Sequence, residues 1–295
     1  MDNTVVVRIQ WWLGNQMFQY AYAYALSKRN WCKFLLDVST FDWYKVRRNH
    51  LSEFGNLPPY ADKKDIPFYE RYPILHKNLI IPRIIKSICR RLNPHDYREV
   101  SKWYDEKFAK LSKGYIIWYF QSEHYFEDCT DEIRKIFSFS KETENRVKTY
   151  MKERNIKPND FVAISVRRWD FSTDWAHYLI PFEWYFWAYK KYFKNKKILV
   201  FSDDIQQCRE YFWTIKLECS DIVFVDNLAI IDSLCLMSKC HNFIISNSTF
   251  SWWGAYLPDF SDKIVVRPDL EFDRKVKGEA YYRDHYPQEW IPFKW

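Results

Sequence analysis

From residue 159 onward, short apolar runs alternate with stretches of helical periodicity. In order they are "NDFVAISV", "PFEWYFWAYKKYFKN", "KKILVFSDD", "DIQQCREYF", "DIVFVD", "IDSLCLMSKC", "NFIISNS", "FSWWGAYL" and "DKIVVRP". Strands separated by whole helices cannot pair as hairpins. They pair in parallel, with each helix crossing over the sheet, which makes the predicted fold class α/β. The N-terminal part opens the same way: strand "NTVVVRI", helix "NQMFQYAYAYALSKR" and strand "KFLLDVSTF" form a βαβ unit. "KGYIIWYFQSEHYF" returns to a strand followed by a helix, and "SKETENRVKTYMKERNI" is a charged helix starting at Ser140 or Lys141. Two α/β units are expected, 1–155 and 156–295, with a boundary within 152–158. No repeat or low-complexity segment interrupts them.

Residues 49–113 are irregular, rich in proline and aromatics, and read as an elaboration over a sheet edge or an acceptor site. Within them, "IIPRIIKSICRRLNPHDYREVSK" (80–102) predicts an amphipathic helix. Such a helix is either a solvated face or a contact with an anionic bilayer.

The chain's 295 residues suit one large or two medium domains. No apolar run approaches the roughly 18–20 residues of a membrane span. "MDNTVVVRIQ" lacks the basic and apolar regions of a signal peptide. Seven cysteines without a C-x-x-C pair fit reduced thiols. A cytoplasmic location is expected, either free or peripheral on the inner face of the membrane. The net charge of +7 suits an anionic ligand, a membrane surface or nucleic acid. The basic residues form no stripe beside an RNA motif, so a nucleic-acid partner is not expected.

In an open parallel sheet, ligands bind at the C-terminal strand edge, and several chemistry-bearing residues fall there. Arg167 and Arg168 follow one strand directly and can clamp a diphosphate; paired with Asp170, they can equally be a surface feature. Asn247, Ser248 and Thr249 lie between a strand end and a helix start. They are natural caps, and such a helix N-terminus is also an anion site. Asp203 and Asp204 read as a helix cap or as metal ligands. The chain has no Asp-x-Asp triplet, and two arginines can neutralise a diphosphate without Mg²⁺. Asp174 and His177 lie just beyond the arginine pair and are candidate general bases. No G-x-S-x-G elbow, Walker loop or G-x-G-x-x-G fingerprint is present, so hydrolase, kinase and dehydrogenase readings lack support.

"LGNQMFQYAYAYAL", "YFQSEHYF", "SVRRWDF", "FSDDI" and "SNSTFSWWGAYL" together resemble the bacterial and animal α-1,2-fucosyltransferases, glycosyltransferase family 11, in order and spacing over residues 8–270. The resemblance implies a GT-B-like architecture of two Rossmann-like domains facing a cleft. The first would be the acceptor side and the second the GDP-fucose side. It implies GDP-L-fucose as co-substrate donor, a β-galactoside acceptor, inversion, no cofactor and no metal. Its His-x-Arg-Arg-x-Asp motif falls on Ser165, Val166, Arg167, Arg168, Trp169 and Asp170, so the histidine is serine here. By the same carry-over, the arginines would hold the β-phosphate and Asp170 would orient them. Ser202, Asp203, Asn247, Ser248, Thr249 and Ser251 would line the donor site, with Asn15 and Gln16 facing it from the first domain.

One departure runs through these motifs. The family has Gly-Gly-Leu-Gly-Asn-Gln where this chain has Trp11-Trp12-Leu13-Gly14-Asn15-Gln16. It also has glycine at the position of Trp169 and often at that of Trp118. Trp31, Trp187 and Trp213 stand where a turn or small residue would be unremarkable. The chain has 15 tryptophans and 5 glycines, whereas average usage predicts about 20 glycines. The tryptophans therefore read as glycine replacements. Indoles near the donor would strain the turn and take up space. The alternative function is accordingly an impaired or non-catalytic carbohydrate-binding relative with a blocked donor site.

Overall fold

The computed structural model describes residues 3–43, 46–55, 60–71, 80–98, 104–168, 178–214, 222–269 and 284–294. It divides into two compact units, Met1–Ile136 and Phe137–Trp295.

In the first unit, among the described residues, strands β1 (Thr4–Arg8), β2 (Lys33–Asp37), β3 (Asp96–Arg98) and β4 (Gly114–Ile117) pair in parallel in the order β2-β1-β4-β3. Val5, Val6 and Val7 are buried because β1 is central and covered on both faces. Helix α1 (Leu13–Asn30) is apolar almost all round and runs through the interior. Its Tyr22 ring stacks on Phe120 at 3.8 Å, and its hydroxyl donates to the Phe108 carbonyl.

At the C-terminal end of β1 sits a buried charge cluster. Glu70 is 1% exposed. Its carboxylate receives Arg8 at 2.7 Å, Lys86 at 2.6 Å, Arg90 at 2.9 Å and Arg98 at 2.8 Å. Arg8 also meets Asp37, to which the Tyr115 hydroxyl donates. Burial alone would raise the Glu70 pKa. Arg8, then Lys86 and Arg90, reverse this and hold it at about 2.

Lys86 and Arg90 belong to helix α2 (Ile80–Leu92), and their pairing with Glu70 sets its rotation. The polar side therefore turns inward, while Ile84, Ile85, Ile88 and Leu92 are exposed, opposite to the usual arrangement of an amphipathic surface helix. The helix predicted over 80–102 stops at Leu92, two residues before Pro94, and β3 follows. Strand β3 escaped prediction because "DYR" has no apolar alternation.

The two ends of α1 carry tryptophans. Trp11 has φ 74° and Trp31 has φ 51°, both in the left-handed region where glycine is the favoured residue. Trp31 caps the helix C-terminus through its N–H to the Ser27 carbonyl. Trp12 is the N-cap at φ −77°, extended backbone that any residue adopts, so conformation does not call for glycine there.

In the second unit, among the described residues, the parallel order is β10-β9-β8-β5-β6-β7. The strands are β5 (Phe161–Val166), β6 (Lys197–Ser202), β7 (Ile222–Phe224), β8 (Asn242–Ile244), β9 (Ile264–Pro268) and β10 (Ile291–Phe293). Edge strand β10 was missed because three residues with a central proline make a weak signal. The helices are α3 (Thr130–Ile136, closing the first unit), α4 (Lys141–Glu153), α5 (Phe182–Tyr192), α6 (Ile205–Thr214), α7 (Ile230–Met237) and α8 (Thr249–Tyr256). Ser140 caps α4, accepting from the Thr143 N–H. The division at 136/137 lies earlier than the expected 152–158. Helix α4 packs on α7, and Arg146 grips Asp232 with two bonds of 2.7 and 2.9 Å, which assigns α4 to the second unit.

Replacing Glu70 by glutamine removes the carboxylate that four cations share, leaving Arg8 with Asp37 and Arg98 with Asp96 as their remaining acidic partners. E70Q should cost the first unit about 3–5 kcal/mol in urea or thermal unfolding. Because the folded pKa lies below the ordinary carboxylate value, the Glu70 contribution is complete above about pH 4.5. It is lost as pH falls towards about 2, amounting to about 3 kcal/mol. Acid titration of stability in wild type and E70Q checks this.

Candidate active site

In the second sheet the chain runs from β5 outward to β6 and β7, then reverses to β8, β9 and β10 on the other side of β5. The topological switch point lies between β5 and β8, and crevices at such points bind ligands beyond the strand C-termini. Every residue of β5 is buried. It pairs with β8 through Ile164–Ile244 and with β6 through Ile164–Val200, which aligns three strand ends. The predicted residues of the second unit that are described emerge from these ends.

The Arg167 and Arg168 side chains lie in different surroundings. Successive residues leaving a strand point to opposite sides. Arg167 keeps a side chain 20% exposed at the edge, with its Nε 3.3 Å from Asp203 Oδ2. Arg168 is 5% exposed and turns inward. There its guanidinium lies 3.6 Å over the Phe182 ring and donates to the Ile180 carbonyl at 3.0 Å. Burial lowers the Arg168 pKa from its ordinary value, so this charge is held at a desolvation cost. Asp203 bridges the two arginines: its other oxygen accepts the Arg168 backbone N–H at 2.8 Å.

Ser202 Oγ accepts from the Asp204 N–H, and Asp204 Oδ1 accepts from the Gln207 N–H, the cap of α6. Asp204 therefore has the capping role. Beyond β8, Asn247 donates to the Tyr178 carbonyl at 3.0 Å, fastening the residues that precede α5 to the switch point. Ser248 caps α8, its Oγ accepting from Phe250 N–H, and Thr249 is the first residue of that helix. Ser251 is fully buried and bonds to the Ser246 and Ser248 carbonyls, so it shapes the turn from inside. The edge thus presents one arginine, partly neutralised by Asp203, and a capped helix N-terminus, a combination suited to a phosphate group. Trp169, Asp170, Asp174 and His177 lie outside the described residues.

In the first unit, Gln16 is fully buried and its amide makes three hydrogen bonds. It donates to the Trp11 and Arg48 carbonyls and accepts from the His50 N–H, at 2.8 to 2.9 Å. Gln16 therefore braces the turn before α1. Asn15 is half-buried and accepts from Gln121 at 2.6 Å. Sequence reading missed Ile180, Phe182 and Tyr178 as supports of the site. Their roles come from a backbone carbonyl, a ring face and a backbone carbonyl, which no spacing rule reveals. Among the described residues, no three His, Cys, Asp or Glu side chains converge as a metal cluster would require.

Two units, each built on a parallel α/β sheet, give the chain a GT-B-like fold. A solved NodZ alpha-1,6-fucosyltransferase from Bradyrhizobium, soaked with GDP-fucose, matches with a TM-score of 0.51 at 14% identity, over 92% of this chain and 97% of that one. The family model for glycosyl transferase family 11 matches residues 2–293, and the chain belongs to that family. Similar relatives include an Escherichia coli alpha-1,2-colitosyltransferase, 29% identical over 97% of this chain and 98% of the relative. The E. coli O-antigen biosynthesis glycosyltransferase WbnK is 30% identical over 90% and 94%. No helix among the described residues is long and apolar enough to cross a membrane.

The two arginines should separate experimentally. R168A removes the contacts to Ile180 and Phe182 and should destabilise the second unit by about 2–3 kcal/mol. R167A, at the solvent edge, should change stability by less than about 1 kcal/mol. Urea unfolding of both variants decides this.

Proposed function

We propose that the chain transfers a 6-deoxy-L-galactose sugar from its GDP ester to O2 of a terminal β-galactoside, inverting the anomeric carbon. The observation carrying this reading is the Arg167–Asp203 edge beside the α8 N-terminus at the β5/β8 switch point. The acceptor hydroxyl attacks C1 in line as GDP leaves. Arg167 and the helix N-terminus meet the charge growing on the β-phosphate, so positioning and electrostatics provide the catalysis. Arg168 acts from below, holding the Ile180 segment in place. In this reading the diphosphate needs no divalent cation and the reaction no cofactor. The general base is to be sought among Asp170, Asp174 and His177.

L-Fucose is the donor sugar that the motifs favour. The full-length similarity to an alpha-1,2-colitosyltransferase supports a second donor, since colitose is L-fucose without its 3-hydroxyl. Surface-polysaccharide synthesis fits the similarity to WbnK, an O-antigen biosynthesis glycosyltransferase. The acceptor would then be a lipid-linked or free oligosaccharide, met in the cytoplasm or at the inner face of the membrane.

The test is GDP release in EDTA with lactose or N-acetyllactosamine. GDP-L-fucose is compared with GDP-colitose, using both the chain and its W11G/W12G/W169G variant. Turnover in EDTA is expected, with R167A reducing kcat/KM by roughly 10²–10³. The donor with the higher kcat/KM identifies the sugar. Oligosaccharide binding without turnover in either form would instead favour the carbohydrate-binding alternative.

A further inference from the structure

The tryptophans of the described residues form two populations. Trp184, Trp252, Trp253 and Trp290 are at most 1% exposed and build the second unit's interior. Trp184 Nε1 donates to the Phe293 carbonyl at 3.0 Å and Trp252 Nε1 to the His285 carbonyl at 2.8 Å. Trp253 packs edge-on against Phe137, and Trp252 lies against Trp290. The fold needs an indole at these places.

Trp11 and Trp31 are different. Among the described residues, the non-glycine residues with left-handed backbone are Trp11, Trp31, Phe120, Asn155 and Asn227. Asparagine tolerates that region because its short side chain bonds locally; a bulky side chain there is an outlier. Trp31 sits at φ 51°, ψ 45°, just past the last turn of α1, with its N–H on Ser27. That is the helix-ending position glycine most often fills. Its side chain is 92% exposed, so packing offsets little of the strain. Trp11, at φ 74°, forms the bend from β1 into α1, and its carbonyl is locked by Gln16. It is 38% exposed, with Arg47 4.5 Å over its ring. The backbone at both positions is built for a residue without a side chain.

A chain with 15 tryptophans and 5 glycines calls for a common cause at such positions. UGA is read as tryptophan in some genetic codes and as glycine in others, whereas UGG is read as tryptophan in both. We propose that Trp11 and Trp31 are encoded by UGA and that the source of this chain reads UGA as glycine. The functional protein then has glycine at both positions and at every other tryptophan position sharing the codon. Trp12, Trp118 and Trp169, in the motifs, are the first to inspect. Tryptophans encoded by UGG, Trp184, Trp252 and Trp253 among them, stay tryptophan. This inference is independent of the donor, the acceptor and the reaction.

The gene and the native protein test it directly. UGA is expected at positions 11 and 31 and UGG at 184, 252 and 253. Tandem mass spectrometry of the chain from its source cells should read glycine at 11 and 31. UGG at either position, or tryptophan in the native peptides, overturns the proposal. A second measurement uses the full chain made in a standard host. W11G and W31G should each raise Tm by roughly 3 °C, while W184G, which empties a fully buried site, should lower it. A fall in Tm for both W11G and W31G also overturns the proposal.

Discussion

The second unit depends on the parallel pairing of β5 between β8 and β6. All six residues of that strand are buried, so it cannot shift register by one position without moving Val162, Ile164 and Val166 out of their core. That fixed register brings the ends of three strands to one edge. The reversal of strand order beside β5 makes that edge the topological switch point. Arg167 and Asp203 gain their proximity from this pairing and from nothing local. Their separation of 36 residues in sequence is closed by the sheet.

The first unit solves a different problem. Its central strand ends in Arg8, a charge inside an apolar layer, and the surrounding chain is arranged to satisfy it. Glu70 comes from the irregular region and accepts four cations, two of them from α2. Breaking one partner of such a cluster is far more costly than the cluster is worth as a whole. Its structural effect is orientation: it turns the basic side of α2 inward and leaves Ile84, Ile85, Ile88 and Leu92 at the surface. A hydrophobic pattern alone gives the opposite orientation, with the apolar side in the core.

Much of the fold was legible because strands such as "FVAISV" and "KILVFS" and the helix "LGNQMFQYAYAYALSKRN" carry strong periodic signals. The short strands "DYR" and "IPF" were not, because their pairing is dictated by the neighbouring strand rather than by their own composition. Of the predicted site residues, Asp203, Asn247, Ser248 and Thr249 follow the C-terminal ends of β6 and β8. Arg168, Gln16 and Ser251 are instead buried braces, a distinction that burial and hydrogen bonding decide and spacing does not.

The sequence by itself determined the α/β class, the parallel pairing, the family and the anomaly of tryptophan at glycine motif positions, because these are properties of local pattern and residue type. Only the tertiary structure decided which arginine reaches the edge and which supports it from beneath. The same holds for the side of α2 that faces inward, and for the tryptophans that sit on backbone built for glycine. Each of these depends on where a strand ends, what lies opposite it and the sign of a dihedral angle, and such quantities exist only once distant segments have packed together.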